Sequence, residues 1–193
     1  MVRQIPITTA VAALAFCFAV SPASAQMSYD FSAAAAGSAA TPATIAGATF
    51  SSPGDPGAFT FGPNAGLYTD LGSSVLSSAG TVQTLNISFA YPMSQINFDF
   101  ALGDFLALGG TDTLNITADT GATETLTAVI PGGSGDFYPE GSVDLAPGAE
   151  FNSVTITSAY PVTIADVTSV PEPASMALLG AGLIGLGAAR LRR

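Results

Sequence analysis

Apolar side chains recur at every second position between Leu85 and Leu102. Leu85, Ile87, Phe89 and Tyr91 alternate with Asn86, Ser88 and Ala90. After Pro92-Met93-Ser94 the alternation resumes, with Ile96, Phe98, Phe100 and Leu102 on one side and Asn97, Asp99 and Ala101 on the other. A period of two belongs to a strand with one buried face, because successive side chains leave a strand on opposite sides. This stretch commits the chain to sheet structure.

The rest of the sequence agrees. Leu114 and Ile116 alternate before the turn signature Asp119-Thr120-Gly121, and Leu126, Ala128 and Ile130 continue beyond it, so 112–130 predicts a hairpin. Phe151, Val154 and Ile156 lead to Ile164-Ala165-Asp166-Val167, with Pro161 marking a bend or edge between them. Gln26 to Thr44 is rich in Ala and Ser and reads as a loose arm or edge strand, anchored at Tyr29-Asp30-Phe31; Gly47-Ala48-Thr49-Phe50 is the next anchor. Leu71 to Ala79 reads as a short helical turn, weakened by Gly72 and its serines. No fixed-period repeat appears, which excludes a solenoid or propeller. Strands punctuated by Gly, Pro and Asp predict an all-β antiparallel sandwich or jelly roll of about eight to ten strands.

Charge narrows the chemistry. Between Gln26 and Ser169 there is no Lys, Arg, His or Trp, and the 14 acids of the chain less Glu172 leave that body at −13. Nothing there neutralises phosphates, so nucleic acid is excluded as a partner. No side-chain ion pair is available, and each carboxylate must meet water, an N–H or hydroxyl group, or a cation. Histidine is absent and Cys17 is the sole cysteine, which removes Ser-His-Asp, Cys-His and the usual zinc arrangements.

Carboxylate chemistry remains. A glycoside hydrolase needs two carboxyls across a cleft, and Asp99, Asp104, Asp112, Asp136 and Glu140 are available, with Tyr68, Tyr91, Tyr138 and Tyr160 for stacking. No spacing pairs them, and solvated or turn-capping acids are the ordinary outcome. The reading is therefore non-enzymatic. A structural calcium is the one cofactor considered, with Asp99, Asp112 and Asp166 as ligands; Gly109-Gly110-Thr111-Asp112 and Gly132-Gly133-Ser134-Gly135-Asp136 faintly resemble calcium turns. Asn86-Ile87-Ser88 and Asn115-Ile116-Thr117 match the glycosylation acceptor pattern, but both lie in predicted strands and read as chance matches.

The two ends have a different character. Arg3 precedes an apolar core, Ala10 to Val20, and Ala23-Ser24-Ala25 offers the small residues a signal peptidase requires. Residues 1–25 are expected to be a signal peptide, leaving Gln26 as the new N-terminus and removing Cys17. At the other end, Val170-Pro171-Glu172-Pro173 precedes the apolar run Ala174 to Ala189 and the cluster Arg190-Leu191-Arg192-Arg193. As a helix that run spans about 24 Å, short of the roughly 30 Å hydrocarbon core, and snorkelling arginines make up part of the difference. The basic cluster is expected to stay cytoplasmic, with the body across the inner membrane. Gly180, Gly182, Gly185 and Gly187 form a small-residue stripe on that transmembrane helix.

The combination of Pro171-Glu172-Pro173, the apolar run and the basic stop Arg190, Arg192 and Arg193 resembles the PEP-CTERM sorting signal of Gram-negative bacteria. The resemblance implies recognition by an exosortase, a membrane protease-transpeptidase that cuts near Pro-Glu-Pro. It also implies a surface or matrix destination linked to exopolysaccharide and biofilm. The domains become 1–25 signal peptide, 26–169 body and 170–193 sorting signal. The body also resembles domains found upstream of this signal, through Gly47 to Phe50, Phe89 to Phe100 and Ile164 to Val167. Those domains are similar to carbohydrate-binding jelly rolls, which makes polysaccharide a partner to consider. The chain departs from their pattern at Ala165, where an acid is usual.

Overall fold

A computed structural model of the chain describes residues 25–78, 84–103, 111–129 and 138–172. Ala25–Glu172 is one compact unit. Its strands, among the described residues, are β1 (Met27–Ser28), β2 (Ala43–Ile45), β3 (Ala48–Ser51), β4 (Phe59–Pro63), β5 (Ser74–Ser78), β6 (Thr84–Leu102), β7 (Thr111–Ala118), β8 (Thr123–Val129), β9 (Glu140–Leu145), β10 (Phe151–Ser158) and β11 (Val162–Pro171). A turn of 3-10 helix occupies Phe31–Ala33. The described pairings are antiparallel.

β6 organises the molecule. The break at Pro92-Met93-Ser94 divides its sequence pattern, yet the structure makes it one 19-residue strand that passes from one layer to the other. Its first half lies between β3 and β10, with Phe50 opposite Ile87 and Thr155 opposite Asn86. Its second half lies between β11 and β9, with Ala165 and Ser142 flanking Asp99. A strand that changes layer is how a sandwich turns a corner. Proline at the corner costs little, since its missing N–H falls where pairing is already interrupted. The registers of β10 and β11 shift at the same place, between Phe151 and Ser153 and between Val170 and Pro171. One layer therefore reads β2-β3-β6-β10-β7-β8 and the other β9-β6-β11-β5-β4, with β1 beside β11, and β8 meets β9 at Val129 and Glu140 so that the described strands form one continuous sheet.

The inward residues of both halves of β6 enter one core. Ile87, Phe98 and Phe100 are buried together with Phe50, Phe61, Phe151 and Ile164. The rings meet edge to face, Phe31 with Phe50 at 5.3 Å and Phe89 with Phe151 at 5.9 Å, the arrangement ring quadrupoles favour.

Of the two readings of Gln26 to Thr44, the edge strand holds and the loose arm does not: β1 pairs with β11, β2 pairs with β3, Tyr29 and Phe31 are buried, and Asp30 caps the 3-10 turn by accepting from the Ser32 N–H at 2.8 Å. Two other expectations are corrected. Leu71 to Ala79 holds strand β5 rather than a helical turn, because Leu76 pairs with Phe61 on one side and Ile164 on the other. Among the described residues eleven strands exceed the expected eight to ten, since β1 and β2 are too short to carry a visible period. The hairpin of β7 and β8 and the break at Pro161 fall where the sequence puts them, Ile130 lying outside the described residues. The predicted transmembrane helix, 174–189, lies outside the described residues as well. Among the described residues no helix is long and apolar enough to cross a membrane.

Candidate functional site

The outer face of the β9-β6-β11-β5 layer is covered in part by the 64–73 segment between β4 and β5. Leu71 of that segment and Val75 of β5 bury Ala101 and Ala165, and Tyr68 and Tyr138 pack against them. The two tyrosine rings are 5.1 Å apart and tilted by 55°. The Tyr68 hydroxyl is bonded to Thr163 Oγ1 at 2.9 Å. Burial pushes the Tyr68 phenol up, the Thr163 bond opposes this, and Tyr138 and Glu140 add to the rise.

Glu140 is buried, with 6% of its surface exposed. Its Oε1 accepts from the Thr69 N–H at 2.9 Å and its Oε2 from the Asp70 N–H at 2.7 Å. In a body without cations, backbone amides are the donors left to satisfy a buried carboxylate. Glu140 thus ties the covering segment to β9.

Beside it stand three more acids. Burial raises the Asp99 carboxyl first, and the charges of Asp166 and Asp70 raise it further. Asp166 reaches this face through a β-bulge. Ala165 pairs with Asp99 and Thr168 with Asn97, so β11 spends three steps where β6 spends two. Simple alternation would turn Asp166 inward and Val167 outward. The extra residue keeps Asp166 exposed and Val167 buried. Asp166 takes a left-handed conformation, φ 50, which aspartate tolerates better than most residues. Opposite it, a Cβ on Gly72 would come within 2.5 Å of Asp166 Oδ2, so glycine permits the approach.

The calcium candidates are therefore divided. The structure brings Asp99 and Asp166 together and adds Asp70, which no local pattern in the sequence signals. Asp112 lies on β7, which reaches the Asp99 half of β6 across β8 and β9, about 14 Å along the sheet. Its side chain, like Asp104 and Asp136 and the loops Gly109-Gly110 and Gly132–Gly135, lies outside what is described. Among the described residues no three carboxylates are arranged to hold a metal ion. Of the glycosidase candidates, Glu140 faces backbone amides rather than a cleft.

The other outer face is unlike this one. Thr49, Ser88, Asn86, Thr155, Asn115 and Thr125 stand in outward positions across β3, β6, β10, β7 and β8, and none is charged. Several bond to one another: Thr155 Oγ1 donates to Asn86 Oδ1 at 2.9 Å and Thr125 Oγ1 to Asn115 Oδ1 at 2.7 Å. The two Asn-Ile-Ser/Thr triplets are explained here as outward polar residues flanking an inward isoleucine.

The C-terminal motif begins inside the fold. Pro171 is the last residue of β11 and pairs with Met93, and the Glu172 N–H donates to the Pro92 carbonyl at 3.3 Å. The Glu172 carboxyl is raised by a hydrogen bond with Glu150, then by slight desolvation and the charge of Glu150. Ala25 and Gln26, at the expected signal cleavage, are exposed immediately before β1. Ala23, Pro173 and the basic stop Arg190, Arg192 and Arg193 lie outside the described residues.

Residues 169–193 match a family model described as the PEP-CTERM protein-sorting motif. The chain carries a PEP-CTERM sorting motif. No curated protein matches the sequence. Among solved structures the chain is similar to the K2 cleaved adhesin domain of Lys-gingipain, at 15% identity and a TM-score of 0.45 over 76% of this chain and 99% of that one. It is also similar to CsCBM6-3 of Clostridium stercorarium in complex with cellobiose, at 14% identity and a TM-score of 0.40 over 76% and 92% of the two chains. A third similarity is to the catalytic domain of a GH87 alpha-1,3-glucanase, at 13% identity and a TM-score of 0.38, covering 63% of this chain and 26% of the enzyme. The PEP-CTERM match starts at Ser169, where β11 is still buried in the body, so motif and fold overlap.

Proposed function

We propose that the chain is an exported, non-enzymatic surface or matrix protein, sorted through its PEP-CTERM motif by an exosortase-class membrane peptidase and connected with exopolysaccharide or biofilm. The observation that carries this reading is the match over residues 169–193. A second observation supports it. The two ends of the body leave from neighbouring strands, since Met27 pairs with Ser169. Neighbouring ends are compatible with a signal peptide and a C-terminal apolar run that enter one membrane. On this reading the precursor sits in the inner membrane with its C-terminus in the cytoplasm, and signal peptidase and the exosortase release the body between Gln26 and the Pro-Glu-Pro motif. Mass spectrometry of the exported protein tests it. The expected product begins at Gln26 and ends near Pro171, and Glu172→Ala leaves precursor in the membrane. Normal processing of that variant overturns the assignment.

A second reading, glycan binding, draws on the Tyr68–Tyr138 pair beside Asp70, Asp99 and Asp166. Aromatic faces accept sugar C–H surfaces while carboxylates accept sugar hydroxyls, and the two lie within one covered face. A glycan array with the intact body and with Tyr138→Ala tests this. Binding lost in the variant supports it, and no binding by the intact body removes it. A glycoside hydrolase is the weaker alternative, because Glu140 is occupied by the Thr69 and Asp70 amides.

A further inference from the structure

The PEP-CTERM motif is expected to be read as an extended peptide, yet two of its residues are already partners in a sheet. Pro171 stands opposite Met93, and the Glu172 N–H is bonded to the Pro92 carbonyl. The sequence allows no slack beyond this point, because Pro173 alone separates Glu172 from the apolar run at Ala174. A peptidase that accommodates several residues on both sides of its cut therefore meets a folded strand on one side. We propose that the end of β11 is a latch: residues 170–172 must leave β6 before the sorting peptidase can take the motif, and the folded body thereby limits the rate of its own processing. This rests on the sorting reading above.

The strand is built so that the release is confined. Ser169 is fully buried, bonded to the Tyr29 hydroxyl at 2.6 Å and to Met93 Sδ at 3.3 Å, and flanked by Met27 of β1. Fraying from the C-terminal end stops there. Val170 still pairs with Gln95 and its carbonyl accepts from Ser94 Oγ at 3.1 Å, and beyond it the pairing weakens. The register shifts between Val170 and Pro171, Pro171 has no N–H to donate, and nothing of β1 lies opposite it in the described pairing. Glu172 meets Glu150, a second acid that shares a hydrogen bond with it rather than an opposite charge, and the described residues 25–172 include no basic residue. Freeing 170–172 yields about 10 Å of extended chain, enough to reach into a cleft without unfolding the core. Sub-global opening of a strand end is the ordinary low-energy motion of a sheet.

The test compares locked and unlocked forms of the full-length precursor in a host whose membrane carries the processing peptidase. Gln95 and Val170 are register partners, and antiparallel partners have the Cα separation a disulfide accepts. Gln95→Cys with Val170→Cys, in a Cys17→Ser background, ties the strand down when oxidised. The expected result is processing at least about ten-fold slower in the oxidised form than in the reduced form of the same protein, with opening no longer free to occur. As a second variant, Gly-Ser-Gly-Ser inserted between Val170 and Pro171 takes the motif out of register. Processing is expected to rise about five-fold, the population change that follows loss of one main-chain hydrogen bond. Melting curves of the mature bodies confirm that both variants fold. Equal rates for the oxidised and reduced forms, with Glu172→Ala still blocked, overturn the latch alone. Normal processing of Glu172→Ala overturns the sorting reading and the latch with it.

Discussion

β6 contributes to both outer faces of the sandwich, with Asn86 and Ser88 at one end and Asn97 and Asp99 at the other. The first face is a field of hydroxyls and amides that bond sideways to their neighbours on adjacent strands. The second gathers Asp70, Asp99, Asp166 and the buried Glu140, and it needs special devices to do so: a bulge, a glycine against a carboxylate, and a covering segment whose amides face Glu140. The difference follows from charge. A threonine satisfies a neighbouring asparagine without outside help, whereas a carboxylate in a body lacking every basic residue must find N–H groups or stay wet.

The comparison breaks most visibly at Glu140. Glu140→Ala removes the acceptor for two amides and frees the 64–73 segment, and urea denaturation is expected to show a loss of about 2 kcal/mol. Glu140→Gln keeps one acceptor oxygen and is expected to lose roughly half as much. An unchanged midpoint for the alanine variant means that the covering segment is held by Leu71 and Tyr68 instead.

A smaller effect is expected at Asp99, and its sign is the informative part. Its folded carboxyl titrates above its unfolded value, through burial and the charges of Asp166 and Asp70. The ionised form is thus the one the fold disfavours. That unfavourable contribution is fully present above the folded pKa, shrinks as pH falls from the folded pKa to the unfolded one, and is gone below it. Asp99→Asn is therefore expected to raise Tm at neutral pH, with a gain that shrinks as the pH drops through the Asp99 titration. A gain independent of pH would place its cause in packing rather than charge.

The contrast between the faces also marks what was legible in the sequence. Alternation announced both halves of β6, the β7–β8 hairpin and β10, because each has one buried side and a period of two. It did not announce that β6 is continuous, since Pro92 reads as a stop and only the pairing of both halves within one core shows otherwise. The Pro-Glu-Pro motif was legible because it is local. The acidic face was legible in part: Asp99 and Asp166 stand among the candidate ligands, but Asp70 comes from a third segment, and the bulge that turns Asp166 outward is invisible to a pattern that assumes strict alternation. Asp112 reads as an equal candidate in the sequence because linear spacing carries no information about strand order.

The smallest effect belongs to the neutral face. Thr155→Val keeps the β-branched shape that suits a pleated surface and removes only the hydroxyl that donates to Asn86 Oδ1. Asn86 is partly exposed, so its oxygen recovers a water when the threonine is gone. Denaturation is expected to shift by less than about 0.5 kcal/mol, the usual range for surface substitutions. The pairwise bonds on this face then count as local and replaceable. A loss above about 1 kcal/mol would show that the rows act as a cooperative network in which one missing hydroxyl disturbs its neighbours. The neutral face would then be as dependent on specific partners as the acidic one, and charge would cease to be what separates them.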